Sequence, residues 1–256
     1  MNVRPDGKGG IGFDSETIIR YGGPMMVLGI ETATKTGGVA LLSGKGVIAE
    51  YTLNIEVTHS ERLMATVDRV LSDTGITLAA VDGFAVSVGP GSFTGLRIGV
   101  ATAKALAFST GRPVAAVPTL MALAWNLSVA AHPVCPLLDA KKKEVYGAVY
   151  RTGSGTVETI MDEAVLPLKE LAHRLTGPTI FAGEGARLFR QELEDLLGER
   201  ALFAPLAASV PSAASVAELG RMALLGGKAA DPDDLAPVYI RRPEAEVAWE
   251  RRQSSP

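Results

Sequence analysis

Residues 86–108, VSVGPGSFTGLRIGVATAKALAF, constrain the fold more than any other part of this chain. An apolar run from Gly83 to Val88 enters Gly89-Pro90-Gly91 and then a helical stretch in which Gly95, Gly99 and Ala103 recur every fourth residue. Glycine inside a helix costs about 1 kcal/mol against alanine, so two on one face signal a close approach to that stripe. Leu96, Val100 and Leu106 flank the stripe with apolar side chains, as a packed surface requires. The segment predicts a buried strand, a tight corner and a helix built as an interface with another helix.

Composition sets the outer bounds. With 256 residues, 47% of them hydrophobic, and 28 glycines, the chain can bury a large core in one large domain or two lobes. A formal net charge of -3 does not attract a polyanion over the whole surface, so any contact with nucleic acid is expected to be local or shared with a partner. Cys135 is the single cysteine, which excludes a disulfide framework and fits a reducing compartment. No apolar run reaches the length of a membrane span, so a cytoplasmic protein is expected. Residues 1–24 are rich in glycine and polar side chains and read as a disordered N-terminal extension, with Met25 or Met26 a plausible start.

From Met26 onward the pattern is regular. VLGIET is a short apolar strand, and Gly38–Ser43 and Val47–Asn54 form a hairpin about Gly44-Lys45-Gly46. Thr58 and Glu61 make a capping box for a helix with Leu63, Val67, Val70 and Leu71 on one face, ended by Gly75. The strand at Val86 and the glycine-striped helix follow, then a strand at Arg112–Val117 and a helix from Thr119 to Leu127. The second half predicts strands at Val134–Ala140, Glu144–Arg151, Thr156–Met161 and Thr179–Ala182, with helices at Pro167–Leu175 and Ala186–Leu197. Both halves read βββαβα, which predicts a duplicated α/β architecture. Residues 25–130 with 212–245 are expected to form the first lobe, 131–211 the second, and 246–256 a tail.

LGIETAT at 28–34, HSERL at 59–63, the helix motif at 89–107, LLDAKKKEVYGAVY at 137–150, GEGA at 183–186 and PVYIRRPEAE at 237–246 together closely resemble the TsaB (YeaZ) family. The resemblance implies an actin-like, Hsp70-like (ASKHA) two-lobed fold. It also implies a non-catalytic companion of a TsaD-type subunit in the synthesis of threonylcarbamoyladenosine next to the anticodon of tRNA. A TsaE-type ATPase joins that complex, ATP and metal are expected on the partner subunits, no cofactor is required by this chain, tRNA is met only through the complex, and a homodimer forms when the chain is alone.

The site residues follow from this reading. Leu63, Val67, Val70 and Leu71 with Gly95, Leu96, Gly99, Ala103 and Leu106 are expected to meet the same two helices of a partner. On that expectation, Gly99→Leu or Val67→Asp leaves a folded monomer that cannot dimerise. In actin-like ATPases the first hairpin carries an acid and a glycine; here Glu31 takes the acidic place and Ala33 the glycine place, leaving Thr32 and Thr34 as possible phosphate contacts. Asp139-Ala140-Lys141 is the matching loop of the second lobe. Ser92, Thr94 and Arg97 at the helix start, with Gly183 and Gly185, complete a vestigial nucleotide or anion site, although Ser92 or Thr94 serves equally as a simple helix cap.

Other chemistry finds little support. His59, His132 and His173 lack the one-turn spacing of a helical metal pair, so no metal site is expected. Cys135 lies in an apolar strand and reads as a small hydrophobe. The basic runs at Lys141–Lys143, Arg241-Arg242 and Arg251-Arg252 read as solvated faces or as tRNA phosphate contacts within an assembly. A stand-alone actin-like kinase or ATPase is the alternative.

Overall fold

The computed structural model of the chain describes residues 25–54, 59–153 and 155–241. The extension at 1–24, the Thr58–Glu61 capping box and the tail at 246–256 lie outside the described residues.

Ten strands form two five-stranded sheets. The first contains β1 (Val27–Glu31), β2 (Thr36–Ser43), β3 (Gly46–Asn54), β4 (Gly83–Gly89) and β5 (Val114–Pro118) in the order β3-β2-β1-β4-β5. The second contains β6 (Val134–Asp139), β7 (Glu144–Gly153), β8 (Thr156–Pro167), β9 (Thr179–Ala182) and β10 (Ala201–Phe203), in the order β8-β7-β6-β9-β10. In each, a three-stranded antiparallel meander leads, and two further strands join its first strand in parallel. Two sheets with one strand order are the mark of a duplicated, actin-like α/β fold.

Helices α1 (His59–Thr74) and α2 (Phe93–Thr110) share a face of the first sheet, where Leu63, Val67 and Val70 meet Ile30, Val39, Phe84 and Val86. Helix α3 (Thr119–Trp125) is buried along its whole length between the two sheets. In the second half, α4 (Leu168–Arg174) packs on β7 and β8, α5 (Glu184–Leu188) on β6 and β9, and α6 (Arg190–Leu197) on β10. Helix α7 (Ala213–Leu225) packs on β1, β2, β4 and β5, returning the chain to the first sheet.

Three sequence expectations change. The helix expected over 186–197 is two helices that meet at Phe189, because Phe189 leaves helical geometry at φ -104°, ψ 21°. The three-residue β10 was missed; a strand that short carries no readable periodicity.

The third correction concerns the interface. Gly95, Leu96, Gly99, Ala103 and Leu106 of α2, with Leu63, Val67 and Val70 of α1, are buried in this chain's own core, and Leu71 packs at its margin. What approaches the glycine stripe is Thr32 at the end of β1: its hydroxyl donates to the Gly95 carbonyl at 2.8 Å, and a methyl group at Gly99 would collide with that hydroxyl oxygen. The close approach read from the glycines is real, but it is helix to strand within the fold.

Candidate functional site

A cleft of about 840 Å³ opens between the two sheets. Ala33, Thr34, Gly91 and Ser92 line it from the first sheet; Asp139, Lys141, Glu184 and Arg187 line it from the second. Of the sequence-derived candidates, Thr34, Ser92 and Asp139 are thus brought together, with Glu184 and Arg187 added by α5. Charge in the α5 segment could have suggested those two, since Glu184 sits between the paired glycines and Arg187 is one turn on.

The first loop has turned inward. The Glu31 carboxylate accepts the Ala33 N–H at 2.6 Å through Oε1 and is 1% exposed, so it faces the protein and not the cleft. Burial pushes its carboxyl up to about 7 against the pull of the Ala33 N–H and the neighbouring Ser87 hydroxyl. Its Oε2 and the Ser87 hydroxyl make no hydrogen bond among the described residues. Thr32 is spent on Gly95, and Thr34 exchanges bonds with the backbone of Thr36 at 3.1 and 3.2 Å.

The start of α2 is partly closed by the same loop. The Ser92 N–H donates to the Ala33 carbonyl at 2.6 Å, and the Ser92 hydroxyl caps the helix by accepting the Gly95 N–H at 3.2 Å. Gly91 is needed because any side chain there would strike Ala33, whose own methyl already fills the space between the two loops. The Ser92 cap read from the sequence is made at this terminus. Arg97 lies away from the cleft, its guanidinium 3.8 Å from the Phe93 ring centroid and donating to the Tyr239 hydroxyl at 3.1 Å. Thr94 is exposed and is not part of the cleft wall.

In the second loop Asp139 is also satisfied internally. It accepts the Lys141 N–H at 2.8 Å and the Lys141 ammonium at 2.6 Å. Burial raises its carboxyl, but those two contacts outweigh it and hold Asp139 below the usual carboxylate range. Lys141, Lys142 and Lys143 turn the chain with φ of 63°, 54° and 63°, the left-handed region that side chains seldom adopt. Gly183 and Gly185 face the Leu137 backbone, where any side chain would collide, so they fit the α5 corner to β6. Among the described residues no cluster of three metal-ligating side chains forms, and no helix is long and apolar enough to cross a membrane. Cys135 is wholly buried, and burial pushes its thiol far up.

The opposite surface of the helix pair is different. Turned away from the sheet, α2 exposes Thr94, Arg97, Ala101, Ala105 and Phe108, and α1 exposes Met64, Ala65 and Asp68. Phe108 is 57% and Met64 54% exposed, in helices packed against each other.

Fold and cleft together define an actin-like protein whose cleft loops are bonded to their own chain. The family model of TsaD, tRNA N6-adenosine threonylcarbamoyltransferase, matches residues 46–249. The tRNA threonylcarbamoyladenosine biosynthesis protein TsaB of Bacillus subtilis (strain 168) is 35% identical over 228 residues, 88% of this chain and 98% of that protein. The Escherichia coli (strain K12) protein of the same name is 32% identical, covering 89% and 98%. The solved structure of YeaZ from Pseudomonas aeruginosa is 31% identical with a TM-score of 0.71, covering 84% of this chain and 99% of that one. The chain belongs to the TsaB (YeaZ) family.

Proposed function

We propose that this chain acts in the biosynthesis of threonylcarbamoyladenosine on tRNA as a non-catalytic scaffold. It docks on a TsaD-type catalytic subunit through the outward faces of α1 and α2. In the absence of that subunit, the same faces pair two copies of the chain. A TsaE-type ATPase joins the complex, and ATP, metal and tRNA are engaged by the assembled partners.

The observation that carries this reading is the outward helix face. Ala101 and Ala105, four residues apart, present a nearly bare strip with the large apolar Phe108 three residues on, and α1 exposes the large apolar Met64. Small residues let a partner helix approach closely, and an exposed apolar cluster on an otherwise charged surface marks a contact site. The non-catalytic part of the reading is supported by the loops: Glu31, Thr32, Ser92 and Asp139 each have an internal partner where an ATPase would present them to nucleotide.

Co-purification with a TsaD-type subunit tests the docking. Phe108→Asp with Met64→Asp should abolish both the complex and tRNA modification while leaving the melting curve nearly unchanged; a complex that survives the double change overturns the assignment of this face. Calorimetry with Mg-ATP on the isolated chain tests the rest, since micromolar binding with turnover would establish the kinase or ATPase alternative.

A further inference from the structure

Among the described residues after α7 there is no helix or strand, yet the course from Leu235 to Arg241 is fixed by contacts to both halves of the molecule. On the first half, the Lys104 ammonium of α2 donates to the Asp233 and Leu235 carbonyls at 3.1 and 3.3 Å. The Val238 N–H donates to the Val88 carbonyl at 2.7 Å, in the last residues of β4. Tyr239 packs on Phe93 with ring centroids 5.0 Å apart and receives the Arg97 guanidinium on its hydroxyl. The segment then crosses to the second half. The Arg241 guanidinium donates to the Ala140 carbonyl at 2.7 Å and pairs with Glu144, so that it holds both ends of the β6–β7 turn. Arg241 and Glu144 are only 25% and 29% exposed, which reduces screening of the pair by salt.

We propose that residues 235–241 are a strap that pins the two lobes at one angle. The lobes are otherwise joined by two covalent crossings, the segment from β5 through α3 to β6 and the segment from β10 to α7, and by the buried cluster around α3. A joint centred on one short helix lets the lobes turn about it; an attachment at the cleft, away from that joint, blocks the turn. The strap also walls a second cavity of about 420 Å³, with Pro90 and Phe93 on one side and Lys142 and Tyr146 on the other, so its release would change the cleft itself. Its anchors Phe93, Arg97 and Lys104 all lie on α2, which makes this helix the base from which the second lobe is held. The strap is independent of the docking reading above.

Distances between labels on the two lobes test it in the full chain. Spin labels are placed at Thr52→Cys on β3 and Gln191→Cys on α6, both at exposed positions away from the outward faces of α1 and α2, while the fully buried Cys135 is not labelled. The strapped chain should give one narrow distance distribution. Arg241→Ala should broaden it at least twofold, and the exchanged pair Arg241→Glu with Glu144→Arg should narrow it again. Amide exchange at Ala140 and Glu144 should rise tenfold or more in Arg241→Ala. A distribution equally narrow, or equally broad, with and without Arg241 overturns the proposal. If Arg241→Ala does not fold, Tyr239→Ala removes the anchor at the other end and the same comparison decides.

Discussion

Glu31 shows how one buried side chain ties a cleft loop to its own chain. Its position at the end of β1 was legible in the sequence, as was the loss of the glycine at Ala33. Its direction was not, because that depends on Ser92 and Gly91, some 60 residues away, closing over the loop. A buried carboxyl raised to about 7 from an ordinary 4.5 gives a definite pH dependence. The folded state holds this proton more tightly than the unfolded chain does, so the stabilisation is complete below about pH 4.5 and is lost as pH rises through about 7. Glu31→Gln keeps an oxygen for the Ala33 N–H and carries no charge. It should therefore be nearly neutral at pH 5 and stabilising by on the order of 2–3 kcal/mol at pH 8. Urea midpoints of the two proteins at both pH values measure this, and a difference that does not grow with pH would show that Glu31 is not buried as a carboxyl.

Helix α2 has two unlike faces, one buried and one exposed. The four-residue spacing of Gly95, Gly99 and Ala103 made a close contact legible, but periodicity alone does not say which partner lies against a bare stripe. The strand end carrying Thr32 is joined to that stripe only in three dimensions. The same blindness hid the strap, whose residues 235–241 have no repeat of apolar positions, although the motif at 237–246 stood out by resemblance. Substitutions on the two faces should separate cleanly. Gly99→Leu drives a side chain into Thr32 and should cost a few kcal/mol or more, lowering the melting temperature whether or not a partner is present. Ala101→Leu, on the exposed face, should change stability by less than about 0.5 kcal/mol and yet weaken association with a second subunit. Melting curves and light scattering on both variants test the separation; a Gly99→Leu protein that melts like the parent would contradict the packing of Thr32 on this helix.

At the scale of the whole molecule, the duplication was legible because both halves repeat the order of strands and helices, and the matching sheet orders bear out that α/β reading. The way the halves are joined was not, since it rests on one short helix. Leu120, Leu123 and Ala124 of α3 belong to a single buried cluster that also contains Val27, Ala85 and Ala115 from the first sheet and Val134, Leu138 and Ala148 from the second. A continuous apolar core across two lobes couples their unfolding, because exposing one lobe strips partners from the other. The chain should accordingly melt in one transition, with amide exchange at the centres of β1 and β6 limited by the same opening. Leu123→Ala removes a fully buried side chain from the shared cluster and should cost about 2–5 kcal/mol. Its effect should appear equally in both sheets, and protection that falls in only one of them would mean that α3 belongs to that lobe alone.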